Sequence, residues 1–217
     1  MDNINSDDTK TVFISLEEKG PQIKYNCLEA VLKLNNYNKI KKLCCFYMEL
    51  TKLPELPTSL IILDCSNNKL QELPELPNSL LELKCHDNIL QKLPNLPNLL
   101  INLDCSNNKL HQLPDLPNSL LELECWDNIL QELPNLPSSL IELDCSNNKL
   151  HQLPDLPNSL INLNCKDNIL QKLPDLPSSL IELNCKNNSL TELLLPDSDS
   201  IISINCTNNS LSKLSCS

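Results

Sequence analysis

The sequence predicts a solenoid of nine stacked twenty-residue rungs, each giving one short parallel strand, with an extended or polyproline-like convex side and a small N-terminal helical cap. Three observations predict it. From Leu60 the string Leu60-x-x-Leu63-x-Cys65-x-x-Asn68-x-Leu70-x-x-Leu73-Pro74-x-Leu76-Pro77 returns every 20 residues, at Leu80, Leu100, Leu120, Leu140, Leu160 and Leu180. The fourth and sixth positions, Leu63 and Cys65 in the first full string, are apolar in every copy while the fifth between them varies among polar residues, which is the period of a half-buried strand. One glycine, 3% aromatic residues, sixteen prolines and twelve cysteines in 217 residues are the bias of a repeat, not of an ordinary globular domain.

Residues 1–39 precede the repeat. Asn26-Cys27-Leu28-Glu29 fits a capping pattern, with the Asn26 side chain able to accept an orphan amide and Glu29 three residues on. Leu28, Val31 and Leu32 share a helical face, so a helix from Cys27 to Asn35 is expected to cover the first rung. The solenoid then occupies 40–217. A degenerate first rung carries Ile40, Leu43, Cys45, Leu50 and Leu53, with Met48 in the asparagine place. The last, after one inserted residue, carries Ile201, Ile204, Cys206, Asn209, Leu211 and Leu214. Asparagine at the ninth position sits where the chain leaves the strand, and its amide can satisfy turn groups that would otherwise be buried unpaired. The two Leu-Pro pairs oppose helix, because proline lacks a donor and keeps the preceding residue extended. One rung cannot bury its own leucines, so stability is a sum over stacked neighbours and the ends need caps. Nothing comparable to the N-terminal cap follows Leu214, and the last strand is expected to be an open edge able to pair with another chain.

The L-x-x-L-x-L-x-x-N-x-L segment, with cysteine in the sixth place and an L-P-x-L-P tail, resembles the leucine-rich repeats of LPX type in bacterial type III effectors, the YopM and IpaH families. Similar cysteine-bearing arrays occur in giant-virus proteins. The resemblance covers residues 40 to 217 and implies a leucine-rich-repeat solenoid with a helical cap, acting inside a host cell. The IpaH family carries a separate ubiquitin-ligase domain with a catalytic cysteine, and the likeness here is to the repeat part only.

The cysteine column from Cys45 to Cys206 reads as buried, reduced thiols. In-register side chains on parallel strands point the same way, which disfavours the disulfide torsion, and a line of thiols is not a tetrahedral zinc site. Cys44, in the outward fifth position, is expected to be accessible, as are Cys216 and Cys27. An enzymatic reading would need such an exposed thiol as nucleophile, but no histidine lies near one in sequence, and His111 and His151 stand two rungs apart. The expectation is therefore a non-enzymatic protein with no cofactor or metal. Asn187, Asn205 and Asn208 each begin an N-x-S/T match, read as chance in an asparagine-rich chain.

With the fourth and sixth positions inward, the third and fifth face the concave surface and the seventh and eighth lie along its rim. The third supplies Glu82, Glu122, Glu142 and Glu182; the fifth Asp64, Asp104, Glu124 and Asp144; the eighth Asp87, Asp127 and Asp167. Against these eleven carboxylates stand only Lys42, Lys84, Lys166 and Lys186, so the face holds most of the formal net charge of -11. A protein partner with a basic surface is expected, and neither nucleic acid nor an anionic membrane. Trp126, the one tryptophan, stands in the otherwise polar seventh column beside Asp127 as a candidate anchor. An unbroken aliphatic second column, Ile61 to Ile181, either completes the core or forms a lateral apolar stripe. The polar, acidic start lacks the features of a secretory signal, and the expected location is cytoplasmic. The alternative reading is a structural protein that self-associates through its last rung.

Overall fold

The structure is a computed structural model and describes residues 10–196 and 201–216. After β1 (Val12–Ser15), β2 (Ile23–Tyr25), α1 (Leu28–Leu32) and a 3-10 turn at Tyr37–Lys39 comes the stack of rungs. Its strands are β3 (Lys42–Cys44), β4 (Ile62–Asp64), β5 (Glu82–Lys84), β6 (Asn102–Asp104), β7 (Glu122–Glu124), β8 (Glu142–Asp144), β9 (Asn162–Asn164) and β10 (Glu182–Asn184). Then follow β11 (Glu192–Leu195), β12 (Ser203–Asn205) and β13 (Lys213–Cys216).

Each rung strand pairs in parallel with the next at a register offset equal to the repeat, so Leu63 faces Leu83 and Leu83 faces Leu103. The ladder runs past the short strands: the Leu81 amide donates to the Ile61 carbonyl at 2.8 Å and the Cys85 amide to the Asp104 carbonyl at 2.8 Å. The core is the stack of the first, fourth, sixth and eleventh positions; Leu80, Leu83, Cys85 and Leu90 are all buried completely. The second column is half-buried because each member is roofed by the next rung. Its last member, Ile202, has no such roof among the described residues and is 82% exposed.

The asparagine ladder joins rungs. Asn128 Nδ2 donates to the carbonyls of Cys105 (3.1 Å), Cys125 (3.1 Å) and Trp126 (3.2 Å), while its Oδ1 accepts the Leu110 amide at 2.9 Å. Both ends of one amide are thus spent on two successive rungs. A serine column at the twentieth position, unread in the sequence, adds a second tie: Ser79 Oγ donates to the Leu60 carbonyl and Ser119 Oγ to that of Leu100, each at 2.6 Å. Leu99 interrupts it and is 55% exposed.

Both ends depart from expectation. The helix is shorter than Cys27 to Asn35, its N-cap is Cys27 with φ -158, and no side chain caps it, so Asn26 does not play the assigned part. Most of the covering is done by strands: β1 pairs antiparallel with both β2 and β3, giving an eleven-stranded sheet. Val12 and Ile14 point from that hairpin into the core. At the other end β12 is the described edge of the sheet, and β11 pairs in parallel with β13 on the opposite side. The convex side becomes strand where Leu194 and then Ser215 stand in place of the first tail proline, which restores the donor that Pro174 lacks in the rung before.

Candidate binding surface

The solenoid places the third and fifth columns on one face of the sheet, as the strand period requires. On the C-terminal half of that face Glu122, Glu124, Glu142, Asp144 and Glu182 line an open hollow of about 460 Å³ together with Asn162, Asn164, Asn184 and the strand leucines. Asp64, Glu82 and Asp104 lie on the same face nearer the cap, on β4, β5 and β6.

The carboxylates are not equivalent. In the fifth column Asp64 Oδ1 accepts the Ser66 amide at 3.2 Å and its hydroxyl at 2.6 Å, and Asp144 does the same for Ser146 at 2.9 and 2.6 Å. Asp104 accepts the Ser106 amide at 3.1 Å. These aspartates close the turn that follows their own strand. Glu82 is tied to Lys84 at 3.2 Å, and Glu142 accepts from Asn162 at 3.2 Å. Glu122 and Glu182, both exposed, have no hydrogen-bond or ion-pair partner among the described residues. Burial first, and then the neighbouring Asp104 carboxylate, push the Glu124 carboxyl above its ordinary range, against the lowering effect of the hydrogen bond from Trp126.

The eighth column has a backbone cause that the sequence reading missed. Asn67, Asp87, Asn107, Asp127, Asn147, Asp167, Asn187 and Asn208 all hold positive φ, between 47 and 55. In a chain with one glycine, asparagine and aspartate are the residues that best tolerate this region. They also pair along the column: Asn107 donates to Asp87, Asn147 to Asp127 at 3.0 Å and Asn187 to Asp167 at 2.5 Å. Asp127 is thus engaged within the solenoid. From Asn67 onward this position holds nothing but Asn and Asp, which was the available signal; in the first rung Tyr47 takes the same conformation, with φ 56.

Trp126 is half-buried, and its indole Nε1 donates to Glu124 Oε2 at 3.3 Å, so the ring leans toward the hollow from its rim. Cys44 is a correction. It is 4% exposed rather than accessible, because Phe13 of β1 pairs opposite it, and burial pushes its thiol up to about 11. Cys27 is exposed and Cys206 half-buried. The column thiols from Cys45 to Cys185 are free and buried. The side chain of Cys216 lies outside the described residues. No cluster of three potential metal-ligating side chains occurs among the described residues. None of their helices is long and apolar enough to cross a membrane.

No known family model matches the chain, and no curated protein does either. Solved structures do. YopM from Yersinia pestis, described as a leucine-rich effector protein, shares 42% identity over 80% of this chain and 51% of its own, with a TM-score of 0.77. YopM from Yersinia enterocolitica WA-314 shares 36% over 82% of this chain and 46% of its own, with a TM-score of 0.70. A Shigella effector leucine-rich-repeat domain shares 33% over 74% of this chain and 77% of its own, with a TM-score of 0.66. The chain spans about half the length of the two YopM chains. A twenty-residue parallel rung, an asparagine ladder and this level of identity across most of a Shigella effector repeat domain agree: the chain belongs to the leucine-rich-repeat proteins of the YopM and Shigella effector type.

Proposed function

We propose that this protein is a non-enzymatic interaction scaffold that holds a basic protein surface against its acidic concave face, acting in the cytoplasm of a host cell. The carrying observation is the hollow lined by Glu122, Glu142 and Glu182, of which Glu122 and Glu182 keep their carboxylates free of partners among the described residues. Exposed carboxylates of this kind speed encounter and orient a cationic partner, while each pair adds little affinity alone. Its effector location rests on the similarity to YopM. The test is quantitative mass spectrometry of host-lysate proteins retained by the wild type and by a variant carrying Glu122→Lys, Glu142→Lys and Glu182→Lys. These exposed third-column positions spare the turn-closing aspartates. Proteins lost from the variant are expected to be basic; an unchanged retained set would overturn the concave reading.

A second reading has its own observation. β12 is the edge strand among the described residues, with Ile204 within it 39% exposed and Ile202 just before it 82% exposed, a combination that favours pairing with a second copy. Light scattering over a concentration series tests it: a monomer throughout would end this reading, and a dimer abolished by Ile202→Lys would support it.

A further inference from the structure

We infer that the rim of the concave face is a docking track for an extended, arginine-bearing peptide segment in polyproline II form, with its arginines three residues apart. This rests on the acidic face being the binding surface. The seventh column carries rings on alternate rungs, Phe46, His86 and Trp126, separated by Ser66 and Ser106, which are 3% and 0% exposed. At the N-terminal end Phe46 stacks on Phe13 with centroids 6.2 Å apart and meets Tyr47 edge-on at 6.0 Å. Tyr47 is 58% exposed over a hollow of about 660 Å³. With Phe13 these rings gather at the rim, while His111 and His151 are exposed elsewhere, at the twelfth position of their rungs.

Two of the rings stand beside carboxylates. Trp126 bonds Glu124, and His86 Nδ1 lies 2.7 Å from Asp87 while its Nε2 lies 3.8 Å from Asp104 Oδ2. Between them Ser106 Oγ is buried without a hydrogen-bond partner, whereas Ser66 and Ser146 spend theirs on Asp64 and Asp144. Asp104 therefore receives the Ser106 amide but no serine hydroxyl. A planar ring flanked by a carboxylate suits guanidinium, which stacks on the ring and forks onto the oxygens; a lysine ammonium has no flat face to stack. Nucleobases would also stack, but their phosphates are repelled by this face.

The spacing selects the backbone. Rings two rungs apart are separated by ~9.6 Å from the strand spacing. Every third residue of a polyproline II helix returns to the same face after ~9.3 Å. Same-face residues of a strand recur at ~6.8 Å, and a helix returns at its seventh residue after ~10.5 Å. Over the two steps from Phe46 to Trp126 the polyproline form drifts ~0.6 Å, the helix ~1.8 Å and the strand more than ~5 Å.

Fluorescence anisotropy with three synthetic nonapeptides tests the assignment. They are the triplet Pro-Pro-Arg repeated three times, its isomer with arginine at positions two, four and six, and the triplet peptide with lysine for arginine. The first should bind the wild type about tenfold tighter than the other two, a difference of about 1.4 kcal/mol. Trp126→Ala should abolish that preference, and Glu124→Gln, which keeps the shape, should reduce it severalfold, both with unchanged circular dichroism. Equal binding of all three peptides, or a preference that survives Trp126→Ala, would overturn the track. Binding of none of them, with the charge-reversed variant still losing basic lysate proteins, would overturn it while leaving the basic-partner reading in place.

Discussion

Alkaline pH should unfold this protein unusually early, because its core is built on thiols. Cys45, Cys65, Cys85, Cys105, Cys125, Cys145, Cys165 and Cys185 form a buried column of free cysteines. Burial pushes Cys45 and Cys185 up to about 12 and the others well above the usual thiol range, and neighbouring thiols add to the effect at Cys85 and Cys125. In the unfolded chain each returns to about 9.0. The sign follows from linkage: a group whose folded value is raised leaves stability intact below the unfolded value, and stability falls as pH rises from there toward the folded one. Each thiol then costs ~0.4 kcal/mol at pH 9 and ~1.4 kcal/mol at pH 10, so the eight together cost ~3 and ~11 kcal/mol. A domain's whole stability is ~5 to 15 kcal/mol. Urea titrations under reducing conditions from pH 7.5 to 10 should therefore show the midpoint collapsing between pH 9 and 10. A variant with Cys85→Ala, Cys125→Ala and Cys165→Ala should start lower, since each change leaves a small cavity, yet lose stability with a slope about three-eighths shallower. A wild-type decline no larger than one thiol's worth, ~1.4 kcal/mol by pH 10, would refute the reasoning.

Three further outcomes are expected. Asn128→Ala strands the buried Leu110 amide and removes bonds to three carbonyls, so it should cost ~2 to 4 kcal/mol in urea unfolding, and Asn128→Asp should cost more because it sets a carboxylate against those oxygens. Leu99→Ser should raise stability by ~1 kcal/mol by completing the serine column toward the Leu80 carbonyl, and a thermal melt shifted downward would contradict it. Among the described thiols, native alkylation followed by peptide mapping should label exposed Cys27 first and half-buried Cys206 next, with Cys44 as slow as the column thiols.

The rungs were legible because their signal is repeated: a leucine or cysteine that recurs at the same place every 20 residues fixes strand, turn and register at once. The ends were not, because each is a single copy. Thr11-Val12-Phe13-Ile14 is a short β-branched and aromatic run with nothing to repeat it, a weaker signal than the Asn26 capping pattern nearby; yet it supplies β1 and buries Cys44. The acidic face was legible as composition and illegible as geometry. Asp64 and Glu122 carry the same charge, but one closes a turn on Ser66 and the other faces solvent, because the fifth position ends the strand and leads into the turn while the third begins it.

Rungs of the form Cys-Ser-Asn-Asn-Lys alternate with rungs of the form Cys-x-Asp-Asn-Ile up to Lys186, a pattern that duplication of a two-rung unit would produce but that also has a physical basis in the eighth column, and that basis can be tested. Adjacent rungs bring these side chains within hydrogen-bonding distance, so aspartate at successive rungs would set like charges against each other, while asparagine followed by asparagine is tolerated, as Asn208 on Asn187 shows at 2.7 Å. Asn147→Asp puts a second carboxylate beside Asp127, where the present contact is 3.0 Å, and replaces a bond by repulsion at a partly exposed site. The expected loss is ~1 to 2 kcal/mol at pH 7. Asp127→Asn reproduces the pairing of Asn208 with Asn187 and should be close to neutral. In the Asn147→Asp variant one of the two carboxyls is held above its unfolded value, so the lost stability should return as pH falls through the range where it takes up a proton, below about 5. A deficit in that variant that stays constant from pH 7 to pH 4 would mean that charge is not what sets the alternation, leaving duplication as its sole account.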